Sequence, residues 1–195
     1  MQNKGIKSVL DIATGTGDFA IEALKIKPEK IVGIDISEGM LAFGVEKIKK
    51  LGYDKIITLQ KGDSEKIPFS DNSFDAITVS FGVRNYETLE KGLKEMYRVL
   101  KPNGHCLILE FSNPKKFPMK QLYAFYSKFC LPVLGKLISK DPAAYTYLPE
   151  SVQAFPDGKD FINIYENCGF SNTQWIPMTG GICSIYLGHK KAKNA

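Results

Sequence analysis

The chain has 195 residues, a hydrophobic fraction of 44%, a charged fraction of 24% and a formal net charge of +5. These values predict one soluble globular domain, and they exclude neither nucleic acid nor an anionic membrane surface as a partner. The four cysteines and two histidines are too scattered for a metal site, so we expect free thiols and a cytoplasmic protein. The sequence contains neither a signal-peptide pattern nor an apolar run long enough to span a bilayer.

Strand-like and helix-like segments alternate along the first part of the chain, which predicts a parallel sheet with helices on both faces. Ser37 is the predicted N-cap of the second helix and Gly52 its C-terminal stop. The third, fourth and fifth strands are apolar enough on both faces to be buried. The predicted strands are 8–12, 30–35, 56–60, 74–81 and 106–111, with helices at 19–25, 38–51 and 89–100 and a turn at 101–104.

The pattern changes after residue 113. Residues 117–138 are rich in aromatic, aliphatic and lysine side chains, and we interpret them as two short helices broken at Pro132. A helix is predicted at 160–168, followed by a hairpin of strands 173–178 and 183–189, so the last strand runs antiparallel to its neighbours. The predicted architecture is therefore α/β, a mostly parallel seven-stranded sheet in a single domain (1–195) with a helical insert at about 114–160.

The loop after the first strand is the most informative segment. Its glycines allow a ligand to approach the backbone, and Gly15, Gly17 and Ala20 also satisfy a dinucleotide-binding pattern. Asp11 and Asp18 flank the loop with the wrong charge for a pyrophosphate, whereas the ammonium and sulfonium of S-adenosylmethionine would be attracted. The loop therefore predicts a methyltransferase. Ala13 stands where many such loops have glycine, and we expect a negative φ there because a Cβ disfavours the left-handed region.

Three polar residues end successive strands at the edge where ligands of such sheets bind. Asp35 is placed to accept hydrogen bonds from ribose hydroxyls, and this role is favoured over that of a helix-capping acid before Ser37 because the loop and the spacing occur together. Asp63 is a candidate for the exocyclic amine of adenine, with an ordinary turn aspartate as the alternative. Ser80 either faces the same crevice or is a buried serine bonded to its own backbone.

Arg84 and Asn85 leave the fourth strand where a methyl acceptor would approach, and they are the candidates for substrate chemistry. The alternative for Arg84 is a surface ion pair. Tyr123 lies in the aromatic insert, whose length is typical of a segment that builds an acceptor pocket, although packing is a competing explanation. The mixture of lysines and aromatics in the insert would suit a membrane surface, and a solvated lid is equally compatible.

Several segments together resemble the UbiE-type C-methyltransferases of menaquinone and ubiquinone biosynthesis, over about residues 8–190. The more specific of these are Ser80-Phe-Gly-Val-Arg-Asn85, Tyr147-Leu-Pro-Glu-Ser151 and Thr179-Gly-Gly-Ile182. Others are shared more widely: Asp11-Ile-Ala-Thr-Gly-Thr-Gly-Asp18, Gly33-Ile-Asp-Ile-Ser-Glu-Gly-Met-Leu41, Tyr97-Arg-Val-Leu-Lys-Pro-Asn-Gly104 and Leu109-Glu-Phe-Ser112.

The resemblance implies a Rossmann-like class I fold and transfer of a methyl group from S-adenosylmethionine to a ring carbon of a polyprenylated quinol, without a metal. It implies cofactor contacts from Thr16, Asp35, Asp63, Ser64 and Ser80. With the residues argued above, the predicted cofactor site comprises Asp11, Ala13, Gly15, Thr16, Gly17, Asp35, Met40, Asp63, Ser64 and Ser80. Arg84 and Asn85 are the predicted catalytic residues, with Arg84 holding the developing phenolate, and Tyr123, Tyr145 and Tyr147 are predicted to bind the acceptor.

One departure from the family is expected to matter. The family carries an N-terminal segment expected to close over the cofactor, whereas this chain begins almost at the first strand, so an open site is expected. Three alternatives remain: a domain that binds S-adenosylmethionine without turnover, a methyltransferase for another small acceptor, and, least favoured, a nicotinamide-dependent oxidoreductase. The choice between menaquinol and ubiquinol precursors, tail length, oligomeric state and peripheral membrane contact stay open.

Overall fold

The computed structural model describes residues 5–126 and 142–192, and for 142–146 the backbone only. One seven-stranded sheet has the order β3-β2-β1-β4-β5-β7-β6. β7 runs antiparallel to β5 and β6, whereas the pairs among β1 to β5 are parallel. The predicted fold class and the antiparallel last strand are thus confirmed. The strands are β1 (Ser8–Ile12), β2 (Lys30–Asp35), β3 (Ile57–Lys61), β4 (Phe74–Ser80), β5 (Leu100–Phe111), β6 (Ser171–Met178) and β7 (Cys183–His189).

Six α-helices of the described residues cover or flank this sheet. They are α1 (Asp18–Glu22), α2 (Glu38–Lys50), α3 (Leu89–Val99), α4 (Met119–Phe125), α5 (Pro142–Ala154) and α6 (Lys159–Asn167). Ser37 caps α2 as predicted, accepting a hydrogen bond from the Met40 amide at 3.4 Å, and Gly52 follows the helix with a φ of 76°. None of the helices in the described ranges is long and apolar enough to cross a membrane.

Neighbouring residues of the central strands pack on opposite faces of the sheet, because side chains alternate along a strand. On one face, Leu10 lies in a cluster with Leu93 of α3 and Phe161 of α6. On the other face, Val9 packs with Ala20 of α1 and Ile48 of α2. Burial on both faces holds β1 and β4 rigidly, and their carboxyl ends therefore offer a fixed platform for a binding site.

The structure corrects three of the predicted elements. β3 is an edge strand and three of its five residues are exposed, so the prediction that it is buried on both faces was wrong. The first helix ends at Glu22 and continues as a 3₁₀ turn. β5 begins at Leu100 rather than 106, because the predicted turn at 101–104 forms a bulge between two paired segments of the strand.

The insert is described only in part. Its first predicted helix appears as α4, whereas the second, with Pro132, lies outside the described residues. α5 contains Pro149 in its interior and leads through Phe155 and Asp157, both buried, into α6. α4 and α5 stand at the carboxyl edge of the sheet, on the side of β5.

Candidate functional site

A crevice of about 550 Å³ opens at the carboxyl ends of β1, β2 and β4, where the strand order reverses between β1 and β4. This is the position at which open α/β sheets bind ligands. Seven predicted cofactor residues line it: Ala13, Gly15, Asp35, Met40, Asp63, Ser64 and Ser80. The predicted catalytic residue Asn85 lines it as well, so the structure brings donor and acceptor candidates to one cavity.

Asp35 fastens the glycine loop to the end of β2. Its carboxylate accepts hydrogen bonds from the backbone amides of Gly15, at 2.8 Å, and Ser37, at 2.9 Å. Each carboxylate oxygen keeps a further acceptor position, and the side chain is only half-buried on the crevice wall. Gly15 has a φ of 55°, and a Cβ there would lie 2.9 Å from the Met40 Cε. The positive φ favours glycine at this point of the loop, whereas the flexible end of Met40 could move to admit a Cβ.

Asp11 does not face the crevice, although it was predicted to belong to the cofactor site. Its side chain is buried beneath the loop, where it accepts hydrogen bonds from the hydroxyls of Thr14, at 2.6 Å, and Thr78, at 2.7 Å. Burial raises the pKa of Asp11 to about 6, although these hydrogen bonds oppose the rise. Asp11 ties β1 to β4 and to the loop, so its effect on a ligand is indirect.

The predicted negative φ at Ala13 is wrong, since the observed φ is 53°. The chain turns here so that the Thr14 amide can donate to the Ile34 carbonyl at 3.0 Å, which attaches the loop to β2. The Ala13 methyl group lies beside Gly82, where a Cβ would meet it at 2.5 Å. The missing side chain of Gly82 gives Ala13 the room it needs, and the sequence pattern of the loop alone contains no signal of this long-range contact.

Two further predicted residues of the loop, Thr16 and Gly17, are not brought to the crevice. The Thr16 hydroxyl bonds to the Asp18 carboxylate at 2.6 Å and accepts from the Lys47 ammonium at 3.2 Å. Asp18 itself forms an ion pair with Lys47 at 2.9 Å. Gly17 has a φ of 80° and packs against α2 and β3 through Ile48 and Leu59. The aspartates that flank the loop therefore do not supply the field that was inferred from them.

Other acids supply that field. The crevice is lined by four carboxylates, Asp35, Asp63, Glu65 and Glu87, and by one ammonium, Lys91. The Lys91 ammonium already lies 3.6 Å from the Glu65 carboxylate. The remaining acids favour a ligand with positive charge, because opposite charges attract strongly in a partly desolvated site. Together with the acceptor positions of Asp35, these carboxylates fit a ribonucleoside that carries cationic groups.

Arg84 faces away from the crevice. Its Nη1 donates to the Phe81 carbonyl at 2.6 Å and to the Glu110 carboxylate at 2.8 Å, and its guanidinium lies over the Phe111 ring at 5.3 Å from the centroid. Glu110 is fully buried and also accepts from the Arg84 backbone amide at 3.2 Å. Burial raises the pKa of Glu110, and the neighbouring Arg84 charge opposes the rise. The prediction that Arg84 directly holds a phenolate is therefore not supported by its placement.

Asn85 and Tyr147 join the crevice to α5. The Tyr147 hydroxyl donates to the Asn85 Oδ1 at 2.8 Å. Among the described residues, the Asn85 Nδ2 has no hydrogen-bond partner, so its two N–H donors remain for a ligand. Two predicted residues from segments 62 positions apart thus meet at one wall of the site.

The other two predicted acceptor residues lie farther along the insert. Tyr123 lines a second cavity of about 520 Å³ between α4 and α5, with Pro149 and Gln153 on the opposite wall. Tyr145 lies in α5, but its side chain is outside the described residues. Only Tyr147 of the three is placed at the crevice by a described contact.

The sequence analysis did not predict Tyr86, which lines the crevice, or Glu110, which holds Arg84. The Tyr86 hydroxyl is buried near Ser64 and makes no hydrogen bond among the described residues, and burial raises the pKa of Tyr86. A neutral hydroxyl therefore remains as a donor at the crevice wall. Glu110 lies in the motif Leu109-Glu-Phe-Ser112, which by itself predicted no role for it. Its position one residue before the end of an apolar strand was the available signal, because a buried acid needs a charged partner.

Comparisons with known proteins identify the family of the chain. The model of the ubiE/COQ5 methyltransferase family matches residues 1–190. A demethylmenaquinone methyltransferase of Bacteroides fragilis is 51% identical over 185 residues, which cover 94% of this chain and 76% of that protein. A ubiquinone/menaquinone biosynthesis C-methyltransferase UbiE of Geobacter sulfurreducens is 46% identical over 187 residues, or 95% and 73% of the two chains.

Solved structures give the same fold. A SAM-dependent methyltransferase of Aquifex aeolicus superposes with a TM-score of 0.68 at 25% identity, covering 95% of this chain and 84% of that one. The phosphoethanolamine N-methyltransferase 2 of Haemonchus contortus, in complex with S-adenosyl-L-methionine, gives a TM-score of 0.70 at 18% identity, covering 95% and 49%. At that identity, the second likeness bears on the fold alone.

Proposed function

The chain belongs to the ubiE/COQ5 methyltransferase family, and on that premise we propose that it methylates a ring carbon of a polyprenylated quinol. The product is menaquinol from demethylmenaquinol, or the equivalent quinol of the ubiquinone pathway. The observation that carries the choice of acceptor is the 51% identity, over 94% of this chain, to a protein named demethylmenaquinone methyltransferase. S-adenosylmethionine is the cofactor of this class of enzyme, and the negative, ribose-competent crevice fits it.

The residues of the crevice have distinct roles in holding this cofactor. Asp35 accepts from the ribose hydroxyls while keeping its bonds to the loop amides. Asp63 and the hydroxyls of Ser64 and Tyr86 surround the adenine, and Met40 covers the ribose from α2. When bound, S-adenosylmethionine supplies an electrophilic methyl group.

Asn85 is the group that we place next to the acceptor ring. The Tyr147 hydroxyl holds the Asn85 amide by its oxygen, which turns the N–H donors of the amide toward the crevice. The quinol hydroxyl gives its proton to water, and these donors stabilise the oxygen as its negative charge develops. That charge makes the neighbouring ring carbon nucleophilic, and the carbon loses its own proton to water once it is methylated. Catalysis then depends on positioning of ring and methyl group together with this stabilisation.

Arg84 acts in this proposal as a positioning residue. It fixes the Phe81 carbonyl and the Glu110 carboxylate at the same time, which holds the turn that carries Asn85. The turn is strained, since Phe81 has a φ of 56°. The Nη1 group that makes both bonds belongs to a planar guanidinium lying over the Phe111 ring, and a lysine would not reproduce that packing.

We further propose that the insert rests on the cytoplasmic face of an anionic membrane. Between Glu110 and Asp141 the sequence holds six lysines and no acid. Four large apolar or aromatic side chains of this segment are exposed, with fractions of 43% to 81%, among lysines that are exposed as well. Aromatic side chains with lysines are typical of segments that lie in a membrane interface. The four side chains are Phe117, Leu122, Phe125 and Tyr126.

Co-sedimentation with vesicles tests this membrane contact. The protein is expected to bind vesicles that contain phosphatidylglycerol, to bind phosphatidylcholine vesicles less, and to be released by salt. Phe125→Ser should reduce binding severalfold. Phe43→Ser is the matched control, because Phe43 is 71% exposed but lies on α2. Equal binding by both variants, or binding that does not depend on anionic lipid, would contradict this part of the proposal.

The activity itself is tested by incubating the protein with isotopically methyl-labelled S-adenosylmethionine and a reduced quinol. One reaction contains demethylmenaquinol and a second contains a demethylated benzoquinol of the ubiquinone pathway. Mass spectrometry is expected to find the labelled methyl group on a ring carbon of at least one product. Cofactor binding without methylation of either quinol would overturn the proposed acceptor class.

A further inference from the structure

A groove of about 310 Å³ lies outside the crevice, between α4 and the β6–β7 hairpin. We call it the hairpin groove and define it by its walls, Phe117, Met119, Trp175 and Pro177, and by the buried serines of its floor, Ser112 and Ser184. The walls are aromatic or aliphatic, and the turn of the hairpin closes one end with glycines. Its volume is at the lower end of the range for small-molecule sites.

The hydroxyl groups at the floor of the groove are already satisfied by neighbouring groups. The Ser112 hydroxyl pairs with the Gly181 carbonyl and the Ser184 hydroxyl, both at 2.9 Å. The Trp175 indole donates to the same Ser184 hydroxyl at 2.9 Å. A ligand that enters therefore meets mostly apolar surface and gains little from hydrogen bonds. This environment favours a hydrocarbon chain.

The one charged group at the floor is neutralised in the same way. Asp157 is buried, forms an ion pair with Lys115 at 2.7 Å and accepts from the Asn113 amide at 2.6 Å. Lys115 therefore closes over the carboxylate instead of presenting a bare charge to the groove. The groove thus has no unpaired acid among its described residues that would require a cationic ligand.

The position of the groove suits a lipid-borne acceptor. At its mouth stands Phe117, which is 81% exposed and belongs to the apolar, lysine-rich surface of the insert. At its floor, Ser112 directly follows β5, which runs parallel to β4, so the groove lies at the same edge of the sheet as the crevice. A chain in the groove would therefore lie between the apolar surface of the insert and the edge of the sheet where methyl transfer takes place.

We propose that the hairpin groove binds isoprene units of the acceptor's polyprenyl tail. This inference rests on the proposed function, since only a prenylated acceptor brings such a chain. Burial of the tail in the groove orients the ring at Asn85, and it contributes affinity that a quinol without a tail lacks. The groove thus makes the prenyl chain, and not only the ring, a determinant of specificity.

The chain's single tryptophan offers a direct test, because Trp175 is in the groove wall and reports its occupancy by fluorescence. Titration with farnesol, a prenyl chain without a quinone ring, is expected to give a saturable change in Trp175 emission. Met119→Glu should weaken this binding at least tenfold, because it places a carboxylate in the apolar wall at the first turn of α4, where acids favour the helix. Leu122→Glu is the matched control on the same helix, exposed and outside the groove, and should change binding less than twofold.

A second measurement connects the groove to the reaction. Without vesicles, the wild-type protein should show a KM for a quinol with a short prenyl tail at least tenfold below that for the ring alone, and Met119→Glu should remove most of the difference. No saturable fluorescence change, or equal effects of Met119→Glu and Leu122→Glu, would overturn the groove assignment. Methylation of both quinols with one KM would do the same while leaving the proposed function intact. Farnesol binding without methylation of any quinol would overturn the function alone.

Discussion

Ala13 and Gly82 share one small space under the crevice, because a Cβ on Gly82 would lie 2.5 Å from the Cβ of Ala13. Gly82 has a φ of −114°, which other residues also adopt. Glycine is therefore required at position 82 by the contact with Ala13 and not by the backbone conformation. Ala13, in contrast, adopts a φ of 53°, which disfavours any residue with a Cβ by about 1 kcal/mol or more. The first strand loop and the turn after β4 are thus fitted to each other.

This fit predicts a specific double-mutant cycle. Gly82→Ala should lower the free energy of unfolding by about 1–3 kcal/mol through overpacking. Ala13→Gly should change it by less than about 1 kcal/mol, because relief of the left-handed strain is offset by the greater freedom of the unfolded chain. The double variant should recover much of the loss, and urea denaturation measures all three. Additive effects of the two substitutions would contradict direct packing between them.

The charge of the crevice gives a second prediction, on cofactor affinity. Asp35→Asn should raise the Kd for S-adenosylmethionine at least tenfold, because hydrogen bonds to a charged group contribute about 1.5–3 kcal/mol. Asp18→Asn is the matched control, since Asp18 pairs with Lys47 and does not line the crevice. Its effect should be less than threefold. Isothermal titration calorimetry compares the Kd values of the two variants. A larger increase in Kd for Asp18→Asn would mean that the aspartates flanking the loop do attract the cofactor, as the sequence predicted.

The sequence was sufficient for the strands, because each buried strand is a short apolar run with a clear stop. β1, β2 and β7 have the predicted bounds to the residue. The crevice was predictable for the same reason, since parallel strands end at one edge and bring Asp35, Asp63 and Ser80 together. The position of these residues at the ends of successive strands was enough to predict that they line one crevice.

What failed depended on contacts that sequence patterns do not contain. The direction of Arg84 depends on the buried Glu110, 26 residues later. The room for the Ala13 methyl group depends on Gly82, in the turn after β4. β3 is apolar enough for a central strand, yet the sheet order leaves it at an edge. Each error therefore concerns a tertiary contact that is determined only when the sheet and its helices pack together.

The bond between Tyr147 and Asn85 predicts a defect in turnover without a defect in cofactor binding. Tyr147→Phe removes only the hydroxyl that fixes the Asn85 amide, so kcat should fall about tenfold or more while the Kd for S-adenosylmethionine stays within twofold. Asn85→Ala should lower kcat at least as much. Tyr126→Phe is a control on an exposed tyrosine that directly follows α4. Unchanged kcat in Tyr147→Phe would remove Asn85 orientation from the mechanism.

The buried pair of Arg84 and Glu110 predicts a loss of stability when one partner is removed. Arg84→Ala leaves a carboxylate without its charge partner, and such changes cost about 3–5 kcal/mol. Arg84→Lys should recover only part of this, because an ammonium lacks the planar group that lies over the Phe111 ring. Denaturation midpoints measure the effect. If Arg84→Ala lost activity at full wild-type stability, direct contact of Arg84 with the acceptor would again be favoured.

Asp11 predicts the pH dependence of stability. Its folded pKa of about 6 lies above the ordinary value of 3.8, so the folded state takes up a proton between these values. Its contribution to stability is therefore greatest below about pH 4, declines as the pH rises to about 6, and stays at its lower level above that. At 1.36 kcal/mol per pKa unit, the decline is about 3 kcal/mol. Asp11→Asn, always neutral, should become more stable relative to the wild type over this same interval.

A control of opposite sign separates this effect from general acid denaturation. Burial tends to raise the pKa of Asp75, but hydrogen bonds from Lys101 and Ser8 outweigh it and hold the pKa below its ordinary value. Asp75 therefore stabilises the fold above about pH 4, and this contribution is lost as the pH falls further. Asp75→Asn should lose stability relative to the wild type at neutral pH, whereas Asp11→Asn should gain it. Urea denaturation at intervals between pH 4 and 8 measures both differences, and parallel curves for the two variants would show that Asp11 is ionised without cost in the folded protein.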